Sequence, residues 1–211
     1  MRNYIKIANK YIEDVLSNKI PTCRYVKQAC QRQVKDLKRK SWAYHFDETL
    51  ACRVCKFIEA LTHVKGPKAG ENIKLEPWQI FILTTVFGWV DKNNHRRFQQ
   101  VYIEVPRGNG KSALSSGVGL YMLCADNEKG ADVYSFATTR DQAKIVFGDA
   151  QAMARANQPL KDCFGLSVLS KSMVVPGTNS KFEAKSADGT TLDGLNTHCG
   201  IIDELHAHRT R

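Results

Sequence analysis

Residues 101–112 read Val-Tyr-Ile-Glu-Val-Pro-Arg-Gly-Asn-Gly-Lys-Ser. A β-branched, alternating run breaks at Pro106, crosses two glycines and delivers Lys111 and Ser112 to the start of a helical pattern in which Leu114, Val118, Tyr121 and Met122 recur. Strand, glycine turn and helix in that order constrain the fold more than any other stretch, because they place backbone N–H groups at a helix N-terminus, where an anion is bound. Gly108 and Gly110 let the backbone come close to the anion, Lys111 reaches β- and γ-phosphates, and the Ser112 hydroxyl holds Mg²⁺. The ligand class implied is a nucleoside triphosphate. The usual pattern G-x-x-x-x-G-K-[ST] opens on a glycine, and Val105 stands there instead.

From Phe98 onward the pattern alternates between strand and helix. Strands are expected at 99–105, 132–138 and 198–203, helices at 112–124 and 140–156, and a hairpin over 172–185 that turns at Pro176-Gly177. Alternation of this kind argues an α/β fold, a three-layer sandwich around a mainly parallel sheet. Ahead of it, 3–16, 24–38 and a segment beginning at the N-cap Asp47 read as helices, the last stopped by Gly66-Pro67, and 75–83 reads as a buried helix with Pro77 in its first turn. The expected division is a helical unit over 1–66 and a nucleotide-binding core over 67–211.

Composition narrows the function. Net charge is +10, and residues 1–65 hold 14 Lys/Arg against 6 Asp/Glu, so the basic excess is N-terminal and suits a polyanionic partner, with Lys35, Lys38, Arg39 and Lys40 its densest cluster. No apolar stretch approaches the roughly 18 residues that span a bilayer, and the start lacks the pattern of a cleaved leader; a cytoplasmic protein is expected, with no membrane partner. The seven cysteines are odd in number and scattered, which fits reduced thiols. Cys52-x-x-Cys55 lacks a second pair at metal-ligand spacing and falls in a helical segment, so packing is its reading.

A short apolar strand, Gly200-Ile201-Ile202, ends in Asp203 and Glu204, 92 residues after Lys111. In phosphate-loop ATPases an Asp so placed holds the Mg²⁺ shell and an adjoining acid orients or deprotonates the attacking water; Asp203 fits the first role and Glu204 the second. Arg107, inside the loop, is positioned to offset charge on the γ-phosphate. The nucleotide contacts thus run through Arg107, Gly108, Asn109, Gly110, Lys111 and Ser112. Gln79, beside Trp78, is a candidate for the adenine edge, its amide serving as donor and acceptor and favouring ATP, whereas Trp78 reads as core. Arg140, following the natural N-cap Thr139, reads as an exposed arginine of a first helical turn and is a candidate to act on a neighbouring subunit's nucleotide or to touch DNA. His206 and His208 lack companions for a metal site, and Asp188-Gly189 and Asp193-Gly194 read as turns.

Leu75-Glu76-Pro77-Trp78-Gln79, Pro106-Arg107-Gly108-Asn109-Gly110-Lys111-Ser112, Thr139-Arg140-Asp141-Gln142-Ala143 and Ile201-Ile202-Asp203-Glu204-Leu205-His206, in this order and spacing, resemble the large terminase subunit of tailed bacteriophages over residues 47–211. The resemblance implies an ATPase that works as a ring at the capsid portal and translocates double-stranded DNA into the prohead. Its implied cofactors are ATP and Mg²⁺, and its implied partners are double-stranded DNA, the portal protein and a small terminase subunit, in the cytoplasm of an infected bacterial cell. Family members carry further ATPase strands and a two-metal nuclease domain beyond the acidic pair. With eight residues after Asp203, the sheet is expected to be incomplete and no residue is assigned to DNA cleavage. Asp203-Glu204-Leu205-His206 also satisfies the box of superfamily-two helicases, whose loop usually ends in Gly-Lys-Thr rather than Gly-Lys-Ser. A non-catalytic nucleic-acid-binding fragment is the third reading, and it requires binding indifferent to ATP.

Overall fold

A computed structural model describes residues 2–137, 140–186 and 195–205, with the backbone alone at 140, 141 and 186. The chain forms two compact units, one made of Met1–Glu59 with Lys74–Glu104, the other of Ala60–Ile73 with Val105–Arg211. Lys74–Glu104, expected with the nucleotide-binding core, clusters with the first unit, and Ala60–Ile73 with the second.

The first unit is helical. Helix α1 (Tyr4–Leu16) starts at Asn3, whose side chain accepts from the Lys6 N–H, and α2 (Arg24–Leu37) follows after a short turn. Tyr11, Ile12 and Val15 of α1 meet Cys30 of α2 and Phe81 in one apolar cluster, with Trp78 packed against it, which agrees with a core role for that tryptophan. Strand β1 (Tyr44–Phe46) leads into α3 (Glu48–Glu59), and the Asp47 side chain accepts from the Leu50 N–H as the expected cap. Cys55 on α3 is fully buried, and burial pushes its thiol well above the usual range. Helix α4 (Pro77–Gly88) carries Pro77 in its first turn, where the missing N–H costs nothing. It packs on α1 and α3 and runs into β2 (Trp89–Asp91), antiparallel to β1. At Gly88 an added Cβ would lie 2.5 Å from the Phe46 ring and 2.9 Å from Ala51, so only glycine fits where α4 crosses α3. Glu59 ties the unit together: its carboxylate pairs with Arg2, accepts the Tyr4 hydroxyl at 2.8 Å and accepts the Leu75 N–H at 3.0 Å.

The second unit is α/β. Helix α5 (Lys111–Cys124) follows the glycine turn; then come β3 (Asp132–Ala137), α6 (Arg140–Ala156), α7 (Gln158–Phe164), β4 (Ser167–Val168), β5 (Ser172–Val175), β6 (Ser180–Ser186) and β7 (Thr197–Ile202). The sheet order is β4-β5-β6-β3-β7. Strand β3 pairs in parallel with β6 on one side and β7 on the other, while β4, β5 and β6 pair antiparallel. The sheet is therefore mixed, not mainly parallel as the sequence suggested. The expected hairpin at Pro176-Gly177 supplies the antiparallel half, because strands joined by so short a turn can pair only that way.

Gly119 of α5 has no room for a side chain: a Cβ would stand 2.6 Å from Phe182 on β6 and 3.1 Å from Ile201 on β7. That contact seats α5 directly on the sheet. The expected strand at 99–105 is absent. Residues 101–105 keep their alternation but pair with no strand among the described residues, and Val101 and Tyr102 are exposed, since a period-two pattern makes a strand only where a partner ladder receives it. Among the described residues β7 has a neighbour on one edge only. No described helix is long and apolar enough to cross a membrane.

Candidate phosphate-binding site

The turn that opens α5 depends on its glycines. Gly108 has φ +83° and Gly110 φ +73°, left-handed values at which a side chain would be strained, and Gly110 occupies the N-cap. Between them the Asn109 amide donates to the carbonyls of Pro106 (3.1 Å) and Arg107 (3.3 Å), bracing the turn with its own side chain. Residues 106–110 are exposed, with the N-terminal amides of α5 behind them. Arg107 is exposed and has no ion pair among the described residues. The backbone carbonyl of Ser112 accepts the Ser116 hydroxyl at 2.8 Å, and the same hydroxyl reaches the carbonyl of Val146 on α6 at 2.8 Å, anchoring the first turn of α5 to its neighbour.

The acidic pair arrives on β7. The Asp203 N–H donates to the carbonyl of Phe136 at 3.2 Å, continuing the β3–β7 ladder by one residue, after which the chain turns sharply. Glu204 has φ +50°, a left-handed conformation that costs a residue with a Cβ about 1 kcal/mol or more. It is held there in part by its N–H donating to Asp203 Oδ1 at 3.0 Å. The Lys111 ammonium meets both acids, at 3.2 Å from Glu204 Oε1 and 3.7 Å from Asp203 Oδ1. Its pKa lies above the ordinary lysine value, first through the Glu204 hydrogen bond and then through the charges of Asp203 and Glu204, and it stays protonated at neutral pH.

Lys111, Asp203 and Glu204 are thus brought together at the mouth of the glycine turn, with Ser112 one residue further into α5. Gln79 belongs to the other unit and is occupied: its Oε1 accepts the Glu76 N–H at 2.8 Å while the Glu76 side chain caps the N3 amide, a reciprocal capping box at the start of α4. The amide nitrogen of Gln79 has no hydrogen-bond partner among the described residues. Arg140 begins α6, but its side chain and Thr139 lie outside the described residues, as do His206, His208, Asp188-Gly189 and Asp193-Gly194. Among the described residues there is no cluster of three potential metal ligands.

Sequence reasoning missed Ser116. The one signal was its position four residues after Ser112, the spacing at which a helical serine hydroxyl reaches back to a carbonyl. It also missed that Lys111 spans both carboxylates, which depends on the turn at Glu204.

A family model, "Terminase large subunit, ATPase domain", matches residues 77–211, and the chain belongs to that family. Among relatives, the large terminase subunit of Enterobacteria phage HK97 is 29% identical over 154 residues, covering 72% of this chain and 30% of its own length. The terminase large subunit of Lactococcus phage p2 is 22% identical over 210 residues, 95% of this chain and 37% of its own. The crystal structure of the HK97 bacteriophage large terminase matches with a TM-score of 0.62 and 27% identity, over 75% of this chain and 32% of that one. The chain spans about a third of the length of the relatives it matches.

Proposed function

We propose that this chain carries the nucleotide-hydrolysing site of a viral DNA-packaging motor, coupling ATP hydrolysis to translocation of double-stranded DNA in the full-length protein. The observation that carries the reading is the meeting of Lys111 with Asp203 and Glu204 at the glycine turn that starts α5. The donor set fits a magnesium nucleotide: exposed N-terminal amides and an ammonium for phosphate oxygens, and a hydroxyl and a carboxylate, hard oxygen ligands, for Mg²⁺. Ser112 and Asp203 would hold the metal, and the glycine turn with Lys111 the phosphates. When bound, Mg²⁺ offsets charge on the β- and γ-phosphate oxygens.

The chain's own groups then divide the work. Lys111 would leave its carboxylates for the phosphates, freeing the Glu204 carboxylate to accept a proton from water, while Asp203 would be the carboxylate that holds the metal. Arg107, exposed on the turn, contributes positive charge toward the phosphoryl group. The helix-sheet-helix layering expected of a phosphate-loop sandwich belongs to this proposal, as do the portal, the small subunit and a ring of copies as partners of the whole protein. Gln79 recognises adenine on this reading through its amide nitrogen.

ATP binding and hydrolysis with Mg²⁺ test the proposal in the parent chain, Lys111→Ala and Glu204→Gln. The expected result is ATP binding by the parent, its loss in Lys111→Ala, and binding without turnover in Glu204→Gln. Equal ATP affinity in the parent and Lys111→Ala would sink it.

A further inference from the structure

We propose that the exposed face of α2 and the turn after it bind the phosphate backbone of a double-stranded nucleic acid. Residues 24–40 contain seven Lys/Arg and one acidic residue, Asp36. At about 100° per residue, Arg24, Arg32 and Lys35 fall within a sector of roughly 80° on one side of the helix, and Lys38 and Arg39 lie just past its end. These side chains and Lys40 are exposed, whereas Cys30, Gln33 and Asp36, on the other side, are buried. An ordinary solvated face mixes both signs of charge. Here the single carboxylate is turned inward, 2.7 Å from the Arg97 guanidinium and 3.8 Å from that of Arg39, and Lys35, Lys38 and Lys40 have no carboxylate at ion-pair distance among the described residues.

Three features select the ligand. Anionic membranes attract basic amphipathic helices that also insert an apolar face, but the apolar side of α2 is spent on the unit's core, with Cys30 in the Tyr11–Phe81 cluster and Val26, Ala29 and Val34 packed on it. Single strands need open ring faces for base stacking; the nearby Trp42 ring is taken by the guanidinium groups of Arg39 at 4.4 Å and Arg97 at 4.5 Å, and the exposed Tyr25 ring on α2 carries the Arg24 guanidinium at 5.1 Å. What remains is a set of cations along a helix about 21 Å long and on the turn after it, which can track backbone phosphates on both sides of a groove about 12 Å wide.

Fluorescence anisotropy of the 211-residue chain with a labelled 20-base-pair DNA duplex, without nucleotide and across a salt series, tests this independently of the phosphate loop. The triple variant Lys35→Ala, Lys38→Ala, Lys40→Ala should lower the slope of log affinity against log salt by about 2 to 3 and weaken binding alike for unrelated sequences. The variant Lys6→Ala, Lys74→Ala, Lys92→Ala removes the same charge from exposed positions elsewhere on this unit and should keep the parent slope. The proposal is overturned by equal losses in the two variants, by a parent that does not bind the duplex at low salt, or by tighter binding to a single strand or to phosphatidylserine vesicles.

Discussion

Two ion pairs, one in each unit, show how differently the same chemistry can be used. Asp36 and Arg97 are 2.7 Å apart with side chains 5% and 17% exposed, and the guanidinium is packed among the rings of Trp42, Trp89 and Phe98. Lys111 meets Glu204 and Asp203 at 3.2 and 3.7 Å with 32% of its side chain exposed, and an open glycine turn rather than aromatic rings stands beside it. The first pair is enclosed, so its desolvated partners depend on each other. The second is loose and wet, so its cation can change partners at little cost. The difference marks the first as part of the scaffold and the second as part of a site.

The largest effect expected is on the enclosed pair. Asp36→Ala leaves a largely enclosed guanidinium without its carboxylate and should cost about 3 kcal/mol in urea unfolding, against under about 1 kcal/mol for Lys111→Ala; equal losses would erase the distinction. Next comes the packing behind the site. Gly119→Ala forces a Cβ against Phe182 and should destabilise by about 1 to 3 kcal/mol, while Gly148→Ala on α6, where nothing lies within 4 Å, should stabilise by up to about 1 kcal/mol; both are read from thermal melts.

Gln79→Ala removes half of the capping box and should cost about 1 kcal/mol. If its ATP affinity matches the parent's, Gln79 is a cap and nothing more, and the adenine assignment fails. The smallest effect is a pH dependence. The folded pKa of Lys111 is raised above its unfolded value of 10.5, so the stability its pairs contribute is fully present below that value and disappears as pH climbs through the higher folded one. The stability difference between the parent and Lys111→Ala should therefore stay flat between about pH 6 and pH 9 and shrink only above about pH 10.5.

What the sequence disclosed follows the range over which each feature is determined. Helices α1 to α6 were legible because caps and apolar periodicity are local: Asp47, Pro77 and the Gly-Lys-Ser turn each announce a helix start within a few residues. The short strands β1, β2 and β4 were missed, since two or three residues carry too little pattern to be read, and the seven-residue helix α7 was missed as well. The strand expected at 99–105 failed for the opposite reason. Its pattern was plain, but a ladder is a property of two segments, and alternation at Val101, Ile103 and Val105 cannot report whether a partner is there. The candidate site was legible as residue types, Lys111 with Asp203 and Glu204, and illegible as geometry, because the contact depends on the left-handed turn at Glu204.

The missing side chain at Gly119 bears on how motion could pass through the second unit. At Gly119 the backbone of α5 rests on the side chains of Phe182 and Ile201 with no side chain of its own between them, and close-packed interiors yield very little to compression. Such a joint behaves as a stiff coupling rather than a cushion. The glycine turn lies at one end of α5, and β7, on which α5 rests through Ile201, ends in the two carboxylates that face Lys111. Turn, helix and acidic strand end thus form one closed ring of contacts, from the glycine turn through α5 to the sheet and back to Lys111.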